Sequence, residues 1–439
     1  MGRRLFGTDG VRGLAGVEIT AQLALGLGRA VVMHSGLAAP RALVIRDTRE
    51  SGEMLEAALA AGIASAGGEV SLGGVLPTPA ASVLVRRHGF DLAVVISASH
   101  NHYADNGIKF FGADGFKLSD ETEREVELHV DEDTGGGGAA IGRISELQGT
   151  AEDYLGELAA RFGGLSLAGR DIVIDCANGA TFEVAPAIFA QLGAKVTALS
   201  VSPDGRNIND ACGSTHLDLL ARTVREGRHD LGFAFDGDGD RVLAVDRDGT
   251  LVDGDELLAL AALHLRSAGR LPGEGVVVTV MTNFGFHAAM ATAGVEVATT
   301  AVGDRYVLEE MRARGWALGG EQSGHIIELG LGPSGDGIAA ALLVLEALEG
   351  GDLRERAAME KLPQRLVNVR VRDRDALASA AAVHEAAARE AEALAGRGRV
   401  LVRPSGTEPL VRVMVEAPSE EETEAVCARL VAVVTEALG

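Results

Sequence analysis

The apolar and polar positions of the chain alternate between two patterns, one typical of buried strands and one typical of helices. In the first 130 residues, RALVIRDT, EVSLGGV and DLAVVISAS are apolar runs, and EMLEAALAAGIASAGG between the first two has a helix-like pattern. Near-continuous apolar runs are expected for strands that are buried on both faces of a parallel or mixed sheet. The order strand, helix, strand therefore predicts an α/β domain.

The same rhythm returns twice further along the chain. A second cycle has strands at DIVIDCA, AKVTALSV and LGFAFD with a helix near 181–192, and a third has strands at VVVTVMT and VEVATTAV before the long helix DGIAAALLVLEAL. After Pro363 the order changes to strand, helix, strand, strand, helix. This last order predicts a smaller α+β domain with an antiparallel sheet.

The cycles divide the chain into four domains. At 439 residues it is too long for a single core. The acidic and glycine-rich stretch DEDTGGGGAAIGR (131–143) interrupts the first cycle, which is typical of a loop near a domain boundary. We predict α/β domains at 1–149, 150–252 and 253–364, followed by the α+β domain at 365–439.

Composition narrows the classes of function. Sixty-three acidic against 40 basic residues leave a formal charge of -23, which repels a polyanionic backbone, so no nucleic-acid partner is expected. Cys176, Cys212 and Cys427 lie far apart without metal-ligand spacing, which favours free thiols in a reducing compartment. The N-terminal segment lacks the apolar core of a signal peptide, and no uncharged apolar run reaches membrane-helix length. We therefore expect a cytoplasmic protein with no membrane partner.

Polar chemistry follows the apolar strand DLAVVIS, in the stretch ISASHNHYADNGIKFF. Ser99, at the strand end, could carry a phosphoryl group between substrates. Lys109 is one of only four lysines in the chain, and it could neutralise phosphate or take a proton. His100 and His102 are weaker candidates, because a histidine beside a turn is more often a local hydrogen-bonding residue.

The alternative interpretation of this stretch is structural. The serines would then satisfy backbone groups at the strand end, and Asp105, Asn106 and Gly107 would form an ordinary turn.

The acidic motif FDGDGDR directly follows the apolar strand LGFAF. Glycines between Asp236, Asp238 and Asp240 let the backbone bend, so that three carboxylates can converge on one hard cation such as magnesium or calcium. An EF-hand loop is excluded because Arg241 and Arg247 occupy the positions where that loop needs glycine and glutamate. Three carboxylates beside Arg241 suit phosphoryl transfer, and a solvated acidic loop is the alternative.

Two later segments suit a sugar phosphate. GGEQSGHII places Glu321, Ser323 and His325 at alternate positions, where their donors and acceptors could bind vicinal hydroxyls. RPSGTEPLVR (403–412) combines two arginines with serine, glycine and threonine in a possible cradle for a phosphate dianion. Either segment could instead be a satisfied polar turn. GLGPSG (330–335) matches G-x-G-x-x-G, but no second strand follows its helix, so we expect no dinucleotide site.

With these motifs assembled, the sequence resembles the α-D-phosphohexomutase superfamily over essentially the whole chain. The resemblance rests on FGTDGVRG, ISASHN with DNGIKFF, DGDGDR, GGEQSGH and RPSGTEPLVRVM, in that order. It implies three related α/β domains with mixed sheets plus a smaller C-terminal α+β domain, arranged around a central cleft. It also implies an isomerase, an intramolecular phosphotransferase that works through a phosphoserine and a bisphosphorylated sugar.

The form of the motifs favours one branch of the superfamily. FGTDGVRG, DNGIKFF and GEQSGH are similar to the bacterial members that interconvert glucosamine 6-phosphate and glucosamine 1-phosphate, towards UDP-N-acetylglucosamine and the cell wall. Phosphomannomutase and phosphoglucomutase relatives are the alternative.

The resemblance also implies roles for individual residues. Ser99 would be the phosphoserine and would hold one Mg²⁺ per chain together with Asp236, Asp238 and Asp240. Glucosamine 1,6-bisphosphate would be activator and intermediate. The remaining active-site groups would be Arg12, His100, Lys109, Arg241 and His325. The sugar hydroxyls and the phosphate that is not transferred would be bound by Glu321, Ser323, Arg403, Ser405, Gly406, Thr407 and Arg412.

The sequence departs from the superfamily at one position. A proline usually follows SHN, whereas this chain has His102. Proline would fix φ and remove an amide donor, so the departure puts the rigidity of the serine segment in doubt.

Two rival functions use the same residues. The first is a magnesium-dependent sugar phosphatase, and the second is a non-enzymatic protein that binds a cation or a sugar phosphate. For the mutase, the expected partner is a small sugar phosphate, and the protein is expected to be a monomer or homodimer.

Overall fold

The structure is a computed structural model, and it describes residues 5–7, 9–130, 141–405 and 408–439. The chain forms two compact units. The larger unit comprises Met1–Val280 and Glu296–Arg356, and the C-terminal unit comprises Met281–Val295 and Ala357–Gly439. Most of the predicted loop at 131–143 lies outside the described residues.

The first sheet of the larger unit has seven strands in the order β1-β2-β6-β5-β3-β4-β7, and helices accompany it. The strands are β1 (Phe6–Gly7), β2 (Gly10–Leu14), β3 (Arg41–Arg46), β4 (Glu69–Val75), β5 (Leu92–Ile96), β6 (Asp105–Gly112) and β7 (Ile144–Glu146). The helices are α1 (Ala21–Ser35), α2 (Gly52–Ser65), α3 (Thr78–His88) and α4 (Asp120–His129). Strand β5 runs parallel to β3 and antiparallel to β6, so the segments that follow β3 and β5 emerge at the same edge of the sheet.

The interpretation of residues 105–107 as an ordinary turn is wrong. These residues begin β6, which pairs with β2 on one side and with β5 on the other. In this position Gly107 pairs with Arg12, and Asn106 is fully buried. A short Asp-Asn-Gly sequence is typical of turns, but pairing with β2 makes it the start of a strand whose later residues also pair with β5.

The second and third sheets are also mixed. The second has the order β12-β11-β10-β8-β9 and the third has the order β14-β13-β15-β16. The helices and strands of the second region are α5 (Thr150–Arg161), β8 (Asp171–Asp175), α6 (Val184–Gln191), β9 (Lys195–Leu199), α7 (Asp218–Gly227), β10 (Leu231–Phe235), β11 (Val242–Asp246) and β12 (Leu251–Val252). Those of the third region are α8 (Gly254–Ser267), β13 (Gly275–Thr279), β14 (Glu296–Thr300), α10 (Asp304–Arg314), β15 (Leu318–Gly320), β16 (Ile326–Glu328) and α11 (Gly337–Leu348).

The central strands of the three sheets explain why the sequence shows continuous apolar runs. Every residue of β5, β10 and β13 is buried, as expected for strands covered on both faces. The prediction of three α/β regions with mixed sheets is confirmed.

The C-terminal unit has a three-stranded antiparallel sheet in the order β17-β19-β18, which confirms the predicted α+β arrangement. Its elements are α9 (Phe284–Ala293), β17 (Gln364–Arg370), α12 (Ala381–Leu394), β18 (Arg399–Pro404), β19 (Leu410–Glu416) and α13 (Glu420–Leu438). Helix α9 joins this unit because the Phe284 amide donates to the Glu416 carboxylate at 3.0 Å. The Asn283 side chain also donates to the Leu362 carbonyl at 3.0 Å.

Cys176, Cys212 and Cys427 are all free and buried, which confirms the prediction of free thiols. In the part of the chain that the structure describes, no helix has the length and apolar character needed to cross a bilayer. The segment GLGPSG leads from β16 into α11, but β16 pairs antiparallel with β15, so the parallel unit of a dinucleotide site is not formed there.

Candidate active site

Ser99 lies just beyond β5 and is fully buried. Its φ of 53° is in the left-handed region, which residues with a Cβ rarely adopt. The hydroxyl donates to Asp236 Oδ2 at 2.5 Å, and His100 Nδ1 lies 3.3 Å from Ser99 Oγ. Burial, assisted by Arg241 and Arg12, lowers the pKa of His100 to about 4, so this imidazole is neutral at pH 7.

The three aspartates occupy the hairpin between β10 and β11, in which Phe235 pairs with Val242. One carboxylate oxygen from each lies within 4.8 Å of the others, and all three residues are buried. Gly237 is required by the approach of the serine segment, because a Cβ there would lie 2.6 Å from the Ser99 carbonyl oxygen. The hairpin therefore brings the carboxylates against Ser99.

The electrostatics of this cluster fit a divalent cation. Burial, and then repulsion from Asp240 and Asp238, raises the pKa of Asp236 well above its usual value. Among the described residues, Asp238 Oδ1 and Asp240 Oδ1 are buried without a hydrogen-bond partner. Converging, underbonded carboxylate oxygens are the ligands that Mg²⁺ prefers.

Lys109 projects from β6 into the acidic cluster and is only 1% exposed. Its Nζ lies 2.9 Å from Asp238 Oδ2, 3.1 Å from Asp9 Oδ2 and 3.8 Å from Asp240 Oδ2. Burial alone would lower the pKa of Lys109, but the three carboxylates outweigh burial and raise it. The geometry therefore favours a permanently charged lysine.

Two arginines flank the same cluster. Arg12 on β2 forms an ion pair with Asp9, and the Arg241 amide donates to Asp236 Oδ1 at 3.2 Å. In the described part of the chain, the Nε atoms of both arginines are buried without a hydrogen-bond partner. Each guanidinium thus retains donor capacity for an anion.

The β15–β16 hairpin supplies the third group of side chains. His325 Nδ1 lies 3.6 Å from Asp240 Oδ2, and the Gly335 amide donates to His325 Nε2 at 3.1 Å. Burial lowers the pKa of His325, whereas Asp240 and Asp304 raise it and prevail. The Gly335 bond opposes protonation, since it requires a free Nε2 lone pair.

Two more of the predicted site residues, Glu321 and Ser323, also lie in this hairpin. Glu321 Oε1 accepts a hydrogen bond from the Gly303 amide at 3.0 Å. Ser323 Oγ is buried and has no hydrogen-bond partner among the described residues. Both side chains therefore keep capacity for hydroxyl groups of a ligand.

The C-terminal unit contains a separate pair of arginines. Arg403 on β18 and Arg412 on β19 are directly opposite in the antiparallel register. Like charges in this arrangement repel, and burial together with Arg412 lowers the pKa of Arg403. Ser405 is buried beyond β18, and its carbonyl accepts from Arg374 Nη1 at 2.8 Å. This pair of like charges fits an anion, and the predicted residues Gly406 and Thr407 lie outside the described residues.

The structure thus divides the predicted site residues between the two units. Ser323 lies in the same hairpin as Glu321 and His325. Contacts or charge interactions within the larger unit connect the other predicted residues of that unit, which are Arg12, Ser99, His100, Lys109, Asp236, Asp238, Asp240, Arg241, Glu321 and His325. Arg403, Ser405 and Arg412 belong to the C-terminal unit.

Sequence reasoning missed several residues that position the candidate site. Thr78, at the start of α3, donates its hydroxyl to Asp238 Oδ2 at 2.6 Å and its amide to the Asp238 carbonyl at 2.8 Å. Lys117 bridges Asp9 and Asp304. No motif marks these residues, because their partners are distant in sequence.

Asp47 and Arg49 were also missed, although a signal for them existed. The polar triplet DTR follows β3 in the way that the serine segment follows β5. Neighbouring parallel strands place such segments side by side.

Comparison with protein families covers nearly the whole chain. Four family models match, for the phosphoglucomutase/phosphomannomutase alpha/beta/alpha domain I (residues 3–135), domain II (152–249), domain III (253–366) and C-terminal domain (366–433). The match spans all the residues of the candidate site.

Individual relatives give a consistent result. The chain is 54% identical over 443 residues to a phosphoglucosamine mutase from Desulforudis audaxviator, covering 98% of both chains. It is 52% identical over 436 residues to a phosphoglucosamine mutase from Moorella thermoacetica, covering 97% of this chain and 98% of that one. A solved phosphoglucomutase/phosphomannomutase family protein from Burkholderia thailandensis shares the fold, with a TM-score of 0.82, 24% identity, and coverage of 100% and 98%. The chain belongs to the phosphoglucomutase/phosphomannomutase family, and within it to the phosphoglucosamine mutases.

Proposed function

We propose that this chain interconverts glucosamine 6-phosphate and glucosamine 1-phosphate through a phosphorylated Ser99. The observation that carries the proposal is the direct hydrogen bond from Ser99 to Asp236, which places a candidate nucleophile against three converging carboxylates. The relatives at 54% and 52% identity, both phosphoglucosamine mutases, support glucosamine as the sugar. Such an isomerase acts in amino-sugar metabolism, towards UDP-N-acetylglucosamine and peptidoglycan.

The proposed reaction has two phosphoryl transfers. In the first, an oxygen of the sugar monophosphate attacks phosphorus while the bond from phosphorus to Ser99 Oγ breaks, and the hydroxyl proton passes to the protein. The product is glucosamine 1,6-bisphosphate. In the second, Ser99 Oγ attacks the other phosphoryl group while the bond from that phosphorus to the sugar oxygen breaks, and the proton held by the protein passes to this oxygen. The step restores the phosphoserine and releases the isomeric monophosphate. Added bisphosphate would activate enzyme that has lost its phosphate.

We assign the charge and proton roles from the contacts. Lys109 stabilises charge rather than accepting a proton, since three carboxylates hold its ammonium. Arg12 and Arg241 add positive charge through guanidinium groups with unused donors. We assign the proton to His100, whose neutral imidazole lies 3.3 Å from Ser99 Oγ, and we assign charge stabilisation beside Asp240 to His325.

One Mg²⁺ would be held by Asp236, Asp238 and Asp240 together with an oxygen of the phosphate on Ser99. When bound, the ion supplies positive charge that stabilises the phosphoryl oxygens during transfer. The two underbonded aspartate oxygens support this assignment.

The remaining predicted residues would recognise the substrate. We propose that Glu321 and Ser323 bind sugar hydroxyls, and that Arg403, Ser405, Gly406, Thr407 and Arg412 bind the phosphate that is not transferred. The opposed pair Arg403 and Arg412 supports an anion there, because a dianion would relieve the repulsion of two guanidinium groups. We further propose that the protein is cytoplasmic, since the three free cysteines fit a reducing compartment. We propose a monomer or a homodimer as its oligomeric state.

A phosphorus NMR assay tests the function. Glucosamine 6-phosphate, Mg²⁺ and a trace of glucosamine 1,6-bisphosphate are added to the protein, and glucosamine 1-phosphate and free phosphate are followed together. We expect glucosamine 1-phosphate without free phosphate. Release of free phosphate would instead indicate a phosphatase, and turnover only with mannose or glucose phosphates would reassign the sugar.

A further inference from the structure

Arg49 holds the segment that carries Ser99. We call residues 97–105 the serine loop. The Arg49 side chain is completely buried, and its Nε donates to Asp47 Oδ2 at 2.8 Å. Its Nη1 and Nη2 atoms donate to four carbonyl oxygens of the serine loop, those of Ser99, Asn101, His102 and Asp105. All five guanidinium hydrogens thus have an acceptor.

The same ion pair also reaches the Ser99 amide. That amide donates to Ser97 Oγ at 2.9 Å, and Ser97 Oγ donates to Asp47 Oδ2 at 2.6 Å. The Ser99 carbonyl accepts from Arg49 Nη2 at 2.8 Å. Both backbone polar groups of Ser99 are therefore tied, directly or through one hydroxyl, to the buried pair of Asp47 and Arg49.

A positive charge at this position stabilises the conformation of the loop, and Asn209 Nδ2 also donates to the Ser99 and Asn101 carbonyls, at 2.9 and 3.0 Å. Four carbonyl dipoles that point at one centre repel one another unless positive charge lies between them. The left-handed backbone of Ser99 is also disfavoured for a residue with a Cβ, so surrounding contacts must hold it. Lysine cannot replace the guanidinium, because its ammonium has three donors on one atom and lacks the planar fork.

We propose that Arg49 is a positioning residue for phosphoryl transfer, which keeps Ser99 Oγ against Asp236 without touching the substrate. The inference rests on the proposed function of Ser99 as phosphoryl carrier. It also explains how the chain tolerates His102, since Arg49 binds the carbonyl of that residue, which any amino acid provides.

Variants of Arg49 test the inference. Arg49→Met removes the guanidinium and keeps an apolar stem, and Arg49→Lys keeps the charge beside Asp47. We expect kcat to fall about 100-fold in both, because a displacement near 1 Å costs that much in phosphoryl alignment. The KM for glucosamine 6-phosphate should change less than about threefold, since the substrate contacts remain.

Arg161→Met is the matched control. Arg161 is a partly buried arginine on α5 whose guanidinium lies near Glu328 and Glu346, 3.7 and 3.6 Å away. The kcat and KM of Arg161→Met should stay within about threefold of the wild-type values. An equal loss of kcat in the Arg49 and Arg161 variants would show a general effect of losing a buried arginine, and it would overturn the inference.

Hydrogen exchange provides a readout that does not depend on activity. In Arg49→Met the amides of the serine loop should exchange faster, while those of β10 and β13 stay protected. If Arg49→Met does not fold, Arg49→Lys carries the same comparison. Unchanged loop protection together with unchanged kcat in an active enzyme would refute the role of Arg49 and leave the proposed function intact. A wild-type protein without mutase activity, in which loop exchange still depends on Arg49, would refute the proposed function instead.

Discussion

At Ser99 one residue combines a left-handed backbone, a buried side chain and a hydroxyl that is directed at a carboxylate. The backbone conformation costs about 1 to 2 kcal/mol for a residue with a Cβ. Hydrogen bonds to both backbone groups of Ser99 offset this cost. Strain held in this way at a candidate nucleophile is typical of functional sites.

The first prediction concerns the Ser99 hydroxyl itself. Ser99→Ala should lower kcat at least about a thousandfold, because no oxygen remains to carry the phosphoryl group. The melting temperature should stay within a few degrees of wild type, since only one oxygen atom is lost. Ser267→Ala, at an exposed position of α8, is the control and should keep full activity. Wild-type turnover in Ser99→Ala would exclude Ser99 as the phosphoryl carrier.

A second prediction concerns Thr78, which orients Asp238. Thr78→Val keeps the shape of the side chain but removes the hydrogen bond to the carboxylate. The Kd for Mg²⁺, measured by calorimetry, should rise about 10-fold or more, as is usual when a ligand loses its supporting partner. Thr223→Val, on α7, loses only a bond to the Leu219 carbonyl and should bind Mg²⁺ normally. An unchanged Kd in Thr78→Val would show that Asp238 needs no support.

At the scale of residues, the sequence identifies side chains that carry chemistry, but not those that act through others. The aspartate motif and Ser99 are visible because their residue types and spacing suggest a reaction. Thr78 and Asp238 are 160 positions apart, so their hydrogen bond cannot be inferred before the fold is known. Arg49 lies in an ordinary polar segment until β3 is placed beside β5.

At the scale of elements, helix α11 begins with a buried acidic cap. Asp336 accepts from the Ala339 amide at 2.9 Å and from the Tyr154 hydroxyl at 2.9 Å. Burial raises the pKa of Asp336 to about 6, although these hydrogen bonds oppose the shift. The cap therefore favours its neutral form more than an exposed aspartate would.

The third prediction follows from the sign of this shift. Because the folded-state pKa is raised, the contribution of Asp336 to stability is complete below about pH 3.8 and is lost as the pH rises through about 6. Asp336→Asn keeps an oxygen acceptor and cannot ionise. Its free energy of unfolding should exceed that of wild type by on the order of 3 kcal/mol at pH 7 and converge with it near pH 4. Urea titrations at several pH values measure the difference.

Asp352→Asn is a suitable comparison for that experiment. Asp352 caps a short 3-10 segment, and its carboxylate lies 2.9 Å from Arg247 Nε. Its replacement removes an ion pair and should not stabilise the protein at pH 7. A pH-independent difference between Asp336→Asn and wild type would contradict the raised pKa of Asp336.

Helices and strands were predictable where the sequence has one clear hydrophobic pattern. The apolar runs of β3, β5, β10 and β13 marked their strands to within about three residues, because burial on both faces leaves no polar position. The start of strand β6 was wrongly interpreted as a turn, because Asp-Asn-Gly has turn propensity and only the pairing with β2 overrides it.

At the scale of the whole molecule, basic residues are outnumbered by acidic ones, 40 to 63. Two groups of basic residues belong to the predicted site, one beside carboxylates and one in which two arginines face each other. One group, with Lys109 and Arg241, lies in the larger unit, and the other, with Arg403 and Arg412, lies in the C-terminal unit. With a net charge of -23, the protein as a whole repels phosphates, so these local groups must provide the attraction.

The fourth prediction tests the second group. Arg403→Ala should raise the KM for glucosamine 6-phosphate about 10-fold or more while kcat changes less, because it removes binding energy common to the ground and transition states. Arg429→Ala, on α13, breaks only an exposed ion pair with Glu390 and should leave KM unchanged. An unaltered KM in Arg403→Ala would count against this arginine as a phosphate ligand.

The placement of α9 affects how the molecule can be divided. The chain passes between the two units three times, after Val280, after Val295 and after Arg356. Proteolysis after Arg356 alone would leave α9 on the N-terminal fragment, although its hydrogen bonds are with the other fragment. The two fragments should therefore remain associated after the cut. A gene fragment that begins at Ala357 would encode an incomplete fold, one that regains its missing helix only by complementation with residues 281–295.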